Sequence, residues 1–130
     1  MADPNIPAIK QVLDDCAFQV ADKQTITLLD GREVPCRSAH VGLNVQLQGD
    51  GAVIMKLALC LLIQKLEKHK DQWGLMATVH DEWQFEAHPD FAERLGLLGC
   101  EAITEAGTRL DCYCRLSGEY SIGKDWSECH

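Results

Sequence analysis

The segment Val79-His80-Asp81-Glu82-Trp83 has the clearest capacity for chemistry in this chain. Two adjacent carboxylates repel one another when held close, and a divalent cation relieves that repulsion. Magnesium takes carboxylate oxygens and keeps positions open for phosphate oxygens. A pair of such ions, roughly 3.5–4 Å apart, clamps the attacking and leaving oxygens of an in-line phosphoryl displacement. Asp81 is the expected metal ligand. In extended backbone Glu82 faces the other way and is the weaker candidate. His80 could donate a hydrogen bond to a phosphate. Acidic residues are also common in exposed turns, and a two-ion site needs a second carboxylate that no other position here obviously offers.

A second constellation is His40, Asn44 and Gln48, spaced by four. On a helix they stack along one face. Uncharged donors in such a line can meet the acceptors that every base pair presents in the minor groove, and so test pairing geometry without reading sequence. Gly49 and Gly51 beside them would let a nucleic-acid backbone or another chain come close. A solvated helix face has the same pattern.

These residues need elements to hold them. Pro7 and the period of Ile9, Val12, Leu13, Cys16 and Val20 predict a helix over Ile6–Val20. Thr25–Leu29 and Glu33–Arg37 read as short strands joined by an Asp30-Gly31 turn. A long helix follows, capped by Ser38, with Leu43, Leu47, Ile54, Leu57, Ala58, Leu61 and Leu62 as its apolar stripe and a charged end over Lys65–Lys70. Gly74–Val79 and Trp83–Glu86 form a hairpin with His80-Asp81-Glu82 at its tip. Pro89–Ala106 is a helix, with Phe91, Leu95, Leu98, Ala102 and Ile103 on one face and Gly107 as its stop. Asp111–Leu116 and Tyr120–Ile122 read as strand or extended chain. Without regular alternation of strand and helix, the class is α+β.

The length of 130 residues suits a single domain, and 46% hydrophobic residues suffice for a core. A net charge of −8 repels phosphate, so high-affinity binding of free nucleic acid is not expected. The longest apolar cluster, Ile54–Ile63, is broken by Lys56, and neither a bilayer-crossing run nor a signal peptide at Met1-Ala2-Asp3-Pro4 is read. A cytoplasmic protein with no membrane partner is expected. Seven cysteines suggest no disulfide framework and are expected to be thiols. Cys112, Cys114, Cys129 and His130 could make a zinc site, but their spacing is not that of paired knuckles, and buried thiols are the favoured reading.

Taken in order, Ser38-Ala39-His40, Asn44, Gln48-Gly49-Asp50-Gly51-Ala52 and Met55-Lys56-Leu57, then His80-Asp81-Glu82, then Gly123-Lys124-Asp125-Trp126 and His130, resemble the phage branch of the family A (polymerase I-like) DNA polymerases. Asn5–Leu13 and Leu29-Asp30-Gly31-Arg32 are similar to the region after that family's motif B. His80-Asp81-Glu82 corresponds to motif C, and His40 stands where the bacterial branch often has Arg. The likeness covers nearly the whole chain.

The resemblance implies part of a polymerase palm starting at the fingers boundary: a motif C β-hairpin, a long helix and flanking helices. It implies Asp81 as a catalytic Mg2+ ligand with Glu82 as its acidic neighbour, His80 near the primer terminus, and Asn44 and Gln48, with His40, along the minor groove of the new duplex. The family's motif A, motif B, thumb and exonuclease domains are absent, so no polymerase activity is expected of this chain alone, and Mg2+ is expected only in an assembled site. Three readings follow. The chain could be a split subunit, its start at Met1 fitting a divided gene, completed by a polymerase chain carrying motifs A and B and reaching primer-template DNA through that assembly. It could be a non-catalytic interaction or regulatory protein derived from a polymerase. It could be a truncated product. A bare apolar face could also drive homo-oligomerisation.

Overall fold

The computed structural model describes residues 6–130. Met1–Asn5, which carry the N-terminal reading and the first residue of the Asn5–Leu13 match, lie outside the described residues. Among the described residues the architecture is α+β, with three α-helices and two separate two-stranded antiparallel hairpins. The chain divides into two compact units, the first ending at Val53 and the second running Ile54–His130.

In the first unit α1 spans Pro7–Lys23. Proline at its start sacrifices no intrahelical bond. Gln24 ends it in the left-handed conformation, φ 55°, with its amide on the Val20 carbonyl. Strands β1 (Thr25–Thr27) and β2 (Glu33–Pro35) pair with Ile26 opposite Val34. They are shorter than expected because the turn takes up Leu28–Arg32: the Leu28 amide donates to the Arg32 carbonyl, and Gly31 supplies φ 81°. Cys16, Val20, Ile26, Leu28, Cys36 and Val53 are buried here.

Helix α2 (Ala39–Leu66) runs from the first unit into the second. With the 3-10 turn Glu67–Gln72 it is long and apolar enough to cross a bilayer by length and composition, which corrects the expectation that no such run exists. A single charge such as Lys56 does not lower the mean hydropathy of an otherwise apolar helix enough to exclude it. Part of that apolarity serves packing, since Ala58, Leu61, Leu62 and Leu66 are core residues. Leu47, expected in the apolar stripe, is instead 61% exposed.

The second unit places the hairpin β3 (Trp73–Val79) and β4 (Glu82–Ala87) with α3 (Pro89–Arg109). Its core joins Ala58, Leu61, Leu62 and Leu66 of α2 to Phe91, Leu95, Ala102 and Ala106 of α3, with Trp73, Trp83 and Phe85 packed against them. The Trp73 indole donates to the Leu66 carbonyl at 3.2 Å. Gly107 does not stop α3, contrary to expectation. The helix runs two residues further, to Arg109, and beyond it Asp111 takes φ 56° while its amide donates to the Thr108 carbonyl and the Cys112 amide to the Gly107 carbonyl. This is the paired reverse bonding of a Schellman ending, with Asp in the place glycine usually holds.

The tail forms no strand among the described residues; it is an extended strap along α3. Leu116 covers Gly107, Gly118 receives Ile103, and the Tyr120 ring covers Gly96. The Thr104 hydroxyl donates to the Leu116 carbonyl at 2.9 Å.

Candidate functional site

Strands β3 and β4 are joined by two residues only, His80 and Asp81. Val79 pairs with Glu82, so Glu82 opens β4 and does not belong to the tip, a correction to the three-residue turn read from the sequence. Two-residue hairpin loops favour positive φ, because that matches the strand twist. His80 supplies it at φ 53°, a conformation that histidine tolerates better than most residues. Leu75 faces Phe85 and Ala77 faces Gln84, so Met76 is the extra residue of a bulge and is 64% exposed. A bulge sharpens the local twist of the strand that carries it.

Asp81 is exposed at this turn, and among the described residues it has no hydrogen-bond or ion-pair partner. Glu82 is engaged. Its Oε1 accepts from Gln84 Nε2 at 3.0 Å, and His130 Nε2 lies 3.0 Å from Oε1 and 3.1 Å from Oε2. The Gln84 amide and then His130 hold the Glu82 carboxyl below its ordinary range. Glu82, together with the Trp126 carbonyl at 3.1 Å from Nδ1, raises the imidazole of His130. The rings of His130 and Trp126 stack with centroids 4.3 Å apart.

Among the described residues no three His, Cys, Asp or Glu side chains gather as a metal would require. Cys112, Cys114, Cys129 and His130 are therefore not assembled for zinc. All seven cysteines are free; Cys16 and Cys36 are buried, but Cys112 and Cys129 are only half-buried and Cys114 is exposed, so the buried-thiol reading of these three does not hold. Asp81 and Glu82 are two adjacent carboxylates, and a magnesium ion placed at them would need further donors from elsewhere.

In the first unit His40, Asn44 and Gln48 are all exposed on α2. The opposite face of the helix does the packing. Gly42 lies against Cys16, Val20 and Ile26. Gln46 donates to the Thr27 carbonyl and to Asp50 Oδ2, each at 3.0 Å, and Asp50 Oδ1 accepts the Leu29 amide at 2.8 Å. These two side chains fasten the β1–β2 hairpin to α2. The sequence reading passed over them; their signal was the i, i+4 spacing on the face of Gly42 and Gly49. Gly49 is covered by Leu28 and offers no room to a nucleic-acid backbone, whereas Gly51 faces open space. The expectation for the two glycines thus holds its steric premise only at Gly51.

The model of DNA polymerase family A matches residues 7–128. The chain belongs to DNA polymerase family A. It is 33% identical to the DNA-directed DNA polymerases of Enterobacteria phage T3 and Escherichia phage T7, over 95% of this chain and 20% of each relative. It is 28% identical to DNA polymerase I of Geobacillus stearothermophilus, over 94% of this chain and 15% of that one. The chain therefore spans about a fifth of its phage relatives. Among solved structures, the POL domain of Pol1 from M. smegmatis, in complex with DNA primer-template and dNTP, aligns with TM-score 0.69 and 21% identity over 77% of this chain and 20% of that one. That likeness confirms a polymerase-domain fold, as the sequence implied.

Proposed function

We propose that this family A chain is a single C-terminal palm portion that supplies one metal-ligating carboxylate, Asp81, to a DNA polymerase active site completed by another polypeptide carrying motifs A and B. The observation that carries this reading is the exposed Asp81 at the two-residue turn of the β3–β4 hairpin. Magnesium bound there would stabilise the charge that develops on the phosphate during nucleotidyl transfer. His80, next to Asp81 in the turn, would meet the primer end. The exposed line His40, Asn44, Gln48 would follow the minor groove of the duplex. Exposed apolar residues support a covering partner: Ile9, Val12 and Leu13 on α1 continue the face on which Cys16 and Val20 are buried. The β3–β4 hairpin has an open edge on each side among the described residues. Free thiols and the phage relatives fit the cytoplasm of a bacterial host.

The test mixes the chain with a polymerase polypeptide lacking this region and measures primer extension with magnesium and all four nucleotides. Extension is expected from the mixture and from neither part alone. Asp81→Asn should lower it at least about a hundredfold, the scale for loss of one group that stabilises transition-state charge. Extension by the chain alone, or full extension with Asp81→Asn, would refute the reading.

A non-catalytic interaction protein is the second reading, favoured by the net charge of −8, which suits a protein partner better than DNA. On that reading Asp81→Asn leaves partner binding and its consequence unchanged.

A further inference from the structure

The carboxylate of Glu82 has a donor on each oxygen although it stands next to Asp81, the metal ligand of the proposed function. Gln84 Nε2 takes Oε1, and His130 Nε2 bridges both oxygens from 48 residues away in sequence. His130 is itself held on two sides, by the Trp126 ring and the Trp126 carbonyl. The turn that presents it is held by its own hydrogen bonds. Asp125 Oδ1 accepts from the Ser127 amide, the Ser127 hydroxyl and the Glu128 amide, and the Lys124 amide donates to Glu128 Oε2 at 2.7 Å. Upstream, the strap is keyed to α3 where Leu116 and Tyr120 lie on glycines. A side chain fixed at this many points loses little further entropy in making its bond.

We infer that His130 is a positioning residue for the hairpin. Through the strap it locks the Glu82 carboxylate into one conformation, bonded to Gln84 and itself, so that Asp81 is the carboxylate that the hairpin leaves available to a cation. A metal approaching Glu82 meets donors already bonded to its oxygens, while Asp81 has none among the described residues. The inference rests on the reading of Asp81 as a metal ligand for its consequence, but the locking of Glu82 is a property of this chain by itself.

The two parts separate experimentally in the full chain. Side-chain three-bond couplings of Glu82, measured by NMR, should report one rotamer in the wild type. His130→Ala should give rotamer averaging. His130→Phe keeps a ring for Trp126 but no nitrogen, and should give the same averaging while the Tyr120 contacts to Gly96 persist; that variant carries the test where His130→Ala loosens the strap. His130→Gln, which retains a donor of similar reach, should restore the single rotamer. Manganese alone, added at substoichiometric level, should broaden the Asp81 carboxylate at least tenfold more than that of Glu82 in the wild type, and the two within threefold in His130→Phe. A Glu82 side chain that averages in the wild type, or stays fixed in His130→Phe, overturns the inference. Failure of manganese to touch Asp81 refutes the metal reading alone and leaves the rotamer result to judge His130.

Discussion

Leu116 stands where a side chain on Gly107 would stand: a Cβ built at 107 lies 2.8 Å from Leu116 Cγ and 2.9 Å from its Cδ1. Helix α3 therefore needs a glycine in a buried interior position, although glycine costs it about 1 kcal/mol against alanine there. Gly107→Ala recovers that propensity and forces out the strap, since Cβ of Leu116 is also only 3.2 Å away and cannot rotate clear. Overpacking of this kind costs about 1–3 kcal/mol, so a net loss of stability is expected in urea unfolding, with faster amide exchange at Leu116–Gly118. Gly51→Ala is the opposite case. With nothing within 4 Å, it should stabilise by about 0.5–1 kcal/mol. A gain from Gly107→Ala would show that the strap yields freely.

What the sequence made legible was the content of each element, because helical periods at Ile9–Val20 and Phe91–Ile103 and the Asp30-Gly31 and His80-Asp81 turns are local signals. Boundaries failed where a distant segment decided them. Gly107 looked like a stop because its tolerance of positive φ is visible in sequence, while the Leu116 side chain that it accommodates is not. Glu82 looked like part of the tip because two carboxylates in succession suggest one turn, whereas pairing with Val79 makes it a strand residue. Of the candidate site, Asp81 and the line His40, Asn44, Gln48 could be picked out by type and spacing. The tie of His130 to Glu82 could not, since no periodicity links residues so far apart.

Leu62 is 1% exposed at the centre of the second unit's core, between α2 and α3. Leu62→Ala should destabilise by about 2–5 kcal/mol, combining lost transfer energy with the cavity left behind. Gln64, exposed two residues on in the same helix, provides the control: Gln64→Ala should change stability by less than about 0.5 kcal/mol. Equal effects at the two positions in chemical denaturation would contradict the placement of the core.

Glu105 joins α3 to α2 through Lys65 at 3.0 Å and caps its own helix face through Arg109 at 2.7 Å. Bonds from Lys65 and then Arg109 hold its carboxyl below the ordinary range. A carboxyl depressed in the folded state contributes stability above its unfolded pKa of about 4.3 and loses it as pH falls through the lower folded value. The difference between wild type and Glu105→Gln should therefore be present at about pH 7, shrink below about pH 4 and vanish once the folded carboxyl is protonated. Both groups are partly exposed, so the difference should be small and should also decline with added salt. A constant difference across that range would mean that packing, not charge, carries it.

Asn44 and Gln48 present exposed amides on the face of α2 opposite Gln46 and Asp50, which hold the β1–β2 hairpin. Truncation should therefore spare the fold: Asn44→Ala and Gln48→Ala should each shift stability by less than about 0.5 kcal/mol. In the polymerase assembly proposed for this chain the expectation differs. A neutral hydrogen bond contributes about 0.5–1.5 kcal/mol net, so each change should weaken primer-template binding by about 2–13-fold. The loss should be alike for A·T and G·C pairs at the primer end, because purine N3 and pyrimidine O2 acceptors occur in both. Mispaired ends displace those acceptors, so the variants should also narrow the gap between matched and mismatched primers. Affinity measured by fluorescence anisotropy on matched and mismatched duplexes separates this from a merely solvated face, for which neither binding nor discrimination would change.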